Sequence, residues 1–353
     1  MEQSDNEVLV EHRGALGHII LNRPRAINAL THGMVKTIAH ALHEWERDGA
    51  VETVLLTGAG ERGLCAGGDI VGIYHDALAG GNATKHFWRD EYHLNAQIAN
   101  YSKPLVVFMD GIVLGGGIGI SAHASLRVVT ERTRFGMPEV GIGFAPDVGG
   151  TWLLTRVPGE IGTHLGLTGG MGSGADAIAL GCADYYVPAD WLPALTTALE
   201  NTPAAHAIAT VATVAPAPAL FSQQRWIDEC YAGDDASAIV DRLLRSKVPE
   251  ARAVAAVILT KSPTGISVTL EALRRSRVAS SLEEVLNQDY RVSTRFLDGT
   301  ELKEGIRAQV IDKDRAPQWS PPTLGEIDRS EIEAYFAPRE AGELGLSAPA
   351  RQE

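Results

Sequence analysis

"GIVLGGGIGISA" (residues 111–122) follows the apolar run "PLVVFMDG" (104–111) and precedes "LRVVTE" (126–131). Its glycines admit two readings that lead to different folds. Gly117, Gly119 and Ala122 satisfy G-x-G-x-x-A, the dinucleotide fingerprint, after a strand-like run. That fingerprint works inside a β-α-β unit, whose crossover needs about a dozen residues or more. The next strand-like run begins at Leu126, which leaves too little room. The P-loop pattern is absent as well. The other reading is that glycines let the main chain approach a ligand, with amide N–H groups pointing into a pocket.

Working outward, short β-branched runs alternate with stretches of helical period. "HIILN" (18–22), "TVLLTG" (53–58), 104–111 and 126–131 are each apolar-rich and bounded by turn formers, which predicts strands. Between the first two, "THGMVKTIAHALHEWERDG" (31–49) sets Met34, Ile38, Leu42 and Trp45 on one helical face, with Thr31 as N-cap and Gly49 after the last turn. The alternation predicts an α/β domain. From about Ser173 the pattern turns mainly helical, with "SGADAIALG" (173–181) as a capped helix and longer helices over 254–260 and 281–297. This divides the chain into a core over 1–200, a helical region over 201–335 and a tail over 336–353 whose composition is that of a disordered end. "APAPAL" (215–220) reads as a loop or hinge.

The 353 residues carry a net charge of −13, with 45% hydrophobic and 21% charged residues. Such a balance disfavours nucleic acid as a partner, because phosphate binding needs an excess of Lys and Arg. The longest uncharged run of the second half, "AIATVATVAPAPALF" (207–221), is too short for a bilayer and holds two prolines. Cys65, Cys182 and Cys230 show no ligand spacing, and an odd, sparse count suits a reducing compartment. The N-terminus lacks the pattern of a signal or transit peptide, so the expected address is the cytoplasm.

Three glycine clusters stand out: "CAGGDI" (65–70), 111–122 and "PDVGG" (146–150). Two such loops, each ahead of a helix, can aim two N–H donors at one carbonyl oxygen, which is an oxyanion hole; tight turns in a packed sheet are the plainer alternative. His40 and His43 share a helix without a third ligand, and no metal is expected. Cys65 has no histidine in its motif and reads as a small buried residue; Asp69 reads as a helix cap. Glu139 and Asp147 remain, eight positions apart in "FGMPEVGIGFAPDVGG" (135–150), an otherwise apolar, glycine- and proline-rich run. A carboxylate among residues that want burial costs free energy unless it is paired, bonded or used. Pro138, Gly141, Gly143 and Pro146 bend the segment so that both acids can face one cavity.

At these residues the sequence resembles the crotonase, or enoyl-CoA hydratase/isomerase, superfamily. "LNRPRAINAL" (21–30), "GLCAGGDI" (63–70), "DGIVLGGGIGIS" (110–121) and "FGMPEVGIGFAPDVGGTWLL" (135–154) occur in that family's order and approximate spacing. The resemblance implies a ββα spiral core with a helical C-terminal region, a trimer-based homo-oligomer and an acyl-CoA substrate, with coenzyme A as part of the substrate and no cofactor. It implies that the N–H groups of Gly68 and Gly116 form the oxyanion hole, that Ala66 lies at the adenine end of CoA, and that Arg25, Ile27 and Lys313 fall in the CoA site. Hydratases of the family place a glutamate where this chain has Gly119, and a second where it has Glu139.

The 3-hydroxyisobutyryl-CoA hydrolase branch carries this exchange, with Glu139 in "MPE" and Asp147 in "PDVGG". It shares "FWRDEYHLNAQIANYSKP" (87–104), where Glu91 matches a substrate-contacting position, and "EGIRAQVIDKDRAPQW" (304–319). The implied activity is hydrolysis of a short branched 3-hydroxyacyl-CoA thioester in valine breakdown. Glu139 would be nucleophile or general base, and Asp147 would hydrogen-bond the water or the 3-hydroxyl and protonate the thiolate. The alternatives are hydratase or isomerase chemistry with one carboxylate, and a non-catalytic acyl-CoA-binding protein.

Overall fold

A computed structural model describes residues 6–339 and 342–348. The chain forms two compact units whose segments alternate along the sequence rather than meeting near residue 200. One is built from the described residues of Met1–Asp69, His93–Phe135 and Gly172–Ala219, the other from those of Ile70–Tyr92, Gly136–Met171 and Leu220–Glu353.

The first unit is organised by a six-stranded sheet in the order Val8–Arg13, Leu16–Leu21, Thr53–Gly58, Leu105–Met109, Leu126–Val129, Tyr185–Tyr186. Only the first pair is antiparallel; the rest are parallel. Parallel strands are covered on both faces, and so they read as continuous apolar runs. The four runs predicted as strands form at this sheet's second to fifth positions, within two residues of the expected limits. Leu16, Leu55, Val106, Phe108 and Val128 pack with Val187, Leu195, Leu199 and Ile208 from the chain after Ser173. The helix His32–Arg47 starts at Thr31, whose side chain accepts from the Met34 N–H, and buries Met34, Ile38, Leu42 and Trp45. Lys103 Nζ donates to the carbonyls of Asp48 and Val51 at 2.7 Å, just past this helix's end, where a cation is favoured. A smaller four-stranded sheet joins Gly63–Cys65, Ile112–Leu114, Arg134–Gly136 and Met171–Ser173 in that order.

The second unit is mainly helical. The helix Pro263–Val278 is buried along most of its length; the sequence reading passed over it, although Ser262 as N-cap and Pro263 in the first turn are start signals. Glu160 receives Arg274 at 2.8 Å and Arg277 at 2.9 Å from this helix. Trp88 stacks on Phe144 with centroids 5.4 Å apart, and Phe144 meets Phe296 edge-on at 5.5 Å. Residues 342–348, within the stretch whose composition suggests a disordered end, are held: Arg89 donates to the carbonyls of Glu343 and Leu344, and Asn287 to that of Leu346. Of the rest of that tail, Phe336 is buried at the end of the helix Arg329–Phe336, while 340–341 and 349–353 lie outside the described residues. Among the described residues no single helix is long and apolar enough to cross a membrane.

Gly162, in the helix Ile161–Thr168, shows how tightly this unit is packed. A Cβ there would sit 1.8 Å from the Leu154 carbonyl oxygen, a backbone atom that cannot swing away. Gly162→Ala is therefore expected to destabilise the protein by about 2–3 kcal/mol, seen as a lower urea midpoint with an unchanged slope.

Candidate active site

In the first unit two glycine loops lie side by side. The first is shaped by residues 27 and 28, both left-handed without being glycine: Ile27 at φ 48° and Asn28 at φ 54°. Asn28 is fully buried; it accepts from the Arg23 N–H at 2.9 Å and donates to the Ala59 and Gly63 carbonyls at 3.1 Å. These bonds hold a conformation that is costly for a β-branched neighbour such as Ile27. The segment then pairs with the next loop: Ala66 N–H to the Ile27 carbonyl, Leu30 N–H to Gly67 and Asp69 N–H to Leu30, all at 2.8–2.9 Å. Asp69, expected to cap the following helix, receives Arg23 at 3.0 Å.

That pairing leaves the Gly68 N–H without an acceptor among the described residues. Gly116 opens the four-residue helix Gly116–Gly119, where a first-turn N–H has no intrahelical partner. The loops are in contact, since a Cβ on Gly67 would lie 3.4 Å from the Leu114 carbonyl oxygen and 3.7 Å from the Gly116 nitrogen. Side chains are excluded here because one main chain lies against another. The CoA-site candidates Ile27 and Ala66 are thus bonded to one another, with Arg25 exposed beside them.

The acids belong to the second unit. Glu139 opens the short 3-10 helix Glu139–Ile142, which ends at Gly143 with φ 69°. A Cβ on Gly143 would lie 2.1 Å from the Glu301 carbonyl oxygen, and one on Gly305 would lie 2.1 Å from the Ile142 carbonyl carbon. The bend is therefore pressed onto the helix Glu301–Ile306, and only glycine fits on either side. Beyond it Val148 (φ 51°) and Gly149 (φ 73°) form a second left-handed turn. The Asp147 carbonyl accepts from the Gly150 N–H at 2.7 Å, and Asp289 Oδ2 from the Gly149 N–H at 2.8 Å.

Glu91, Glu139, Asp147 and Asp289 are 2%, 7%, 7% and 2% exposed, and among the described residues none of the four forms an ion pair. Burial raises every one of them above the ordinary carboxylate range, and the charge of Asp147 raises the other three further. Asp147 rises least, to about 6. Burial pushes it up, while the hydroxyl of the fully buried Tyr92, donating to Oδ2 at 2.6 Å, pulls it back. Tyr92 Oη in turn lies 2.7 Å from Ser293 Oγ. Among the described residues, Glu91 Oε1 and Glu139 Oε2 are buried and meet no hydrogen-bond partner. Buried polar atoms are nearly always satisfied, which makes these two acceptor oxygens the exceptions within the acid cluster. The arrangement can hold one carboxylate and several carboxylic acids in a buried, electronegative setting.

Lys313 is exposed, at φ 59°, just after the π-helical turn Arg307–Ile311 of this same unit. Tyr92, Asp289 and Ser293 were missed by the sequence reading. Asp289 and Ser293 interrupt the buried stripe Leu282, Leu286, Phe296 of the helix Leu282–Asp298 at heptad spacing, and polar residues on an apolar stripe were the available signal. Among the described residues no group of three or more His, Cys, Asp and Glu is placed to hold a metal ion.

A family model described as enoyl-CoA hydratase/isomerase matches residues 16–336. The mitochondrial 3-hydroxyisobutyryl-CoA hydrolase of Rattus norvegicus is 37% identical over 341 residues, covering 94% of this chain and 88% of that protein. Among solved structures, a carnitinyl-CoA dehydratase from Mycobacterium thermoresistibile is 52% identical with a TM-score of 0.93, covering 96% of this chain and 98% of its own. An enoyl-CoA hydratase from Rhodobacter sphaeroides 2.4.1 is 39% identical with a TM-score of 0.91, covering 97% and 100%.

The shift on Asp147 has a consequence for stability. A carboxyl that binds its proton more tightly when folded than when unfolded destabilises the fold as pH rises from its ordinary value of 3.8 to its folded value of about 6. Asp147→Asn, which cannot ionise, is expected to be more stable than the parent by about 2–3 kcal/mol at pH 8. The gain should vanish below about pH 4, as followed by thermal melts across pH.

Proposed function

The chain belongs to the enoyl-CoA hydratase/isomerase family, and from that premise we propose that it hydrolyses a short, branched 3-hydroxyacyl-CoA thioester, 3-hydroxyisobutyryl-CoA, to 3-hydroxyisobutyrate and free CoA. The observation that carries this reading is the buried acid pair Glu139 and Asp147, together with Gly119, which has no side chain where hydratases of the family carry their first glutamate. Adding water to a double bond needs one group to activate the water and one to deliver a proton. Here the second acid comes instead from the glycine-rich bend that follows Glu139.

Hydrolysis adds water to the thioester carbonyl carbon and breaks its bond to sulfur. The oxygen becomes negative on attack, and the free N–H groups of Gly68 and Gly116 are suited to hold it; one such donor is typically worth about 10²–10³ in rate. The motif assigns Glu139 either direct attack on the carbonyl carbon or removal of the proton from water, and assigns Asp147 the return of a proton to the leaving thiolate. Glu91, with an unpartnered buried oxygen, suits the 3-hydroxyl of the acyl group. Arg25, Ile27, Ala66 and Lys313 are the residues proposed for CoA, and no cofactor is invoked because the thioester already supplies an activated carbonyl. A trimer-based assembly is the family's expectation for this chain.

The relative from Rattus norvegicus is mitochondrial by name, which gives no support to a cytoplasmic address. A reducing aqueous compartment, cytoplasm or mitochondrial matrix, suits the three buried cysteine thiols.

The 52% identity to a protein described as a carnitinyl-CoA dehydratase favours a second reading, addition or removal of water with the thioester left intact. Thiol release separates the two. With 3-hydroxyisobutyryl-CoA, 3-hydroxypropionyl-CoA and crotonyl-CoA compared, free CoA should appear fastest from the first; conversion of crotonyl-CoA without thiol release would overturn the hydrolase reading. Glu139→Gln should retain acyl-CoA binding by calorimetry and lose turnover by about 10²-fold or more.

A further inference from the structure

Residues 342–348 carry no regular secondary structure, yet side chains from two helices hold them. We propose that this segment is a strap which fixes the helix Ala83–Ala99 against the helix Leu282–Asp298. Through the positioning residues Arg89 and Asn287 it sets the reach of Glu91 to the 3-hydroxyl of the acyl group. The proposal rests on the hydrolase reading for its substrate, and deepens it by naming what makes the site selective for a hydroxylated acyl chain.

The strap is gripped from both helices. Asn287 gives it both ends of its amide: Nδ2 donates to the Leu346 carbonyl at 2.8 Å, and Oδ1 accepts from the N–H groups of Gly345 at 3.1 Å and Leu346 at 3.0 Å. One turn on, Arg291 pairs with Glu343 at 2.6 Å. From the other helix Arg89 donates to the carbonyls of Glu343 at 2.9 Å and Leu344 at 3.2 Å, and the Leu344 side chain is buried. Hydrogen bonds are directional. These contacts therefore fix where the strap lies along both helices, whereas apolar contact alone would let it slide.

The Arg89 guanidinium also ties the two helices directly. It lies 4.8 Å from the centroid of the Tyr290 ring, and its Nη2 donates to Tyr290 Oη at 3.3 Å. Tyr290 in turn meets Tyr92 edge-on, with centroids 6.4 Å apart. A second tie closes the seam at one end. Asp298 receives Lys85, four residues before Arg89, at 3.0 Å, and it also receives Arg339 from the start of the tail.

Helical period links these grips to the site. Each residue advances about 100° around a helix, so positions two apart lie on nearly opposite faces. Glu91 comes two residues after Arg89, Asp289 two after Asn287, and Ser293 two after Arg291. The outer members of these pairs are half-buried and hold the strap, while the inner members are buried with the acid cluster. A displacement of either helix on its strap side is thus carried to the groups on its other side. A binding group must be held within about 0.5 Å of its productive place, so a helix free to rock by that much would lose the acyl hydroxyl.

The test is a double-mutant cycle on binding, in full-length protein carrying Glu139→Gln so that the thioester survives the measurement. Calorimetric Kd values are taken for 3-hydroxyisobutyryl-CoA and isobutyryl-CoA, which differ only in the hydroxyl. Asn287→Ala removes the strap bonds of that residue. It should cut the preference for the hydroxylated ester by about threefold to tenfold, the worth of one hydrogen bond, and leave the Kd of isobutyryl-CoA unchanged within about twofold. Arg89→Lys, which keeps the charge and loses the planar fork, should act in the same direction. Glu91→Ala should remove the preference by itself, and Asn287→Ala added to it should change nothing further. Equal weakening of both esters, an unchanged preference, or additive effects of Glu91→Ala and Asn287→Ala would each overturn the role of the strap. A preference absent from the outset, or one that survives Glu91→Ala, also ends the proposal and leaves thiol release to judge the hydrolase reading separately. If no thioester releases CoA from the parent but the preference falls as expected, the hydrolase reading fails and the strap stands.

Discussion

Four carboxyl groups, Glu91, Glu139, Asp147 and Asp289, are buried without an ion pair among the described residues, and Asp147 receives the hydroxyl of Tyr92. Each group alone would be driven to its neutral form by desolvation. With one of them ionised, the others are held neutral more firmly. The result is a set of acids that look interchangeable in sequence and are made unequal by a single buried phenol. Separating the ionisation of two like groups is the usual way a fold obtains an acid and a base from the same residue type.

Under the proposed function, the two glycine-rich loops of the first unit answer a different need. A developing oxyanion requires donors that are already in position and already dry. Main-chain N–H groups meet that requirement only if the local chain gives up its own hydrogen bonds, and the proposed donors Gly68 and Gly116 have no main-chain acceptor among the described residues. The cost is visible in the backbone. Ile27 and Asn28 in one unit and Val148 in the other are held at positive φ, a region where a β-branched residue is strained. Each is pinned, Asn28 by three hydrogen bonds and the turn at Val148 by Asp289 on its neighbour. Strain of this kind persists where surrounding structure over-determines it, and it clusters at functional sites.

Much was legible in the chain itself. Strand and helix positions follow from apolar period and turn formers. Thr31 and Ser173 cap the helices they were expected to cap, because a cap is a contact over three residues and is written locally. The exclusion of a dinucleotide fold also followed from counting, since the four residues of Gly116–Gly119 are all the helix there is between neighbouring parallel strands. Glu139 and Asp147 could be singled out because acids in an apolar, glycine-rich run demand an explanation.

What the sequence could not supply is whatever depends on residues distant along the chain. Ser293 lies 201 positions from Tyr92, and Asp289 lies 140 from Gly149. No local pattern states that these pairs meet. The same holds for protonation. Asp147 and Glu139 have similar intrinsic acidity, and only the distribution of donors and burial around them shifts the two by different amounts. Sequence by itself determined the elements, their order and the residue types available for chemistry, because these follow from short-range sterics and hydrophobic period. Tertiary structure alone decided which hydroxyl reaches which carboxyl, because that is a matter of packing between segments, and an ionisation state is a property of surroundings rather than of a residue.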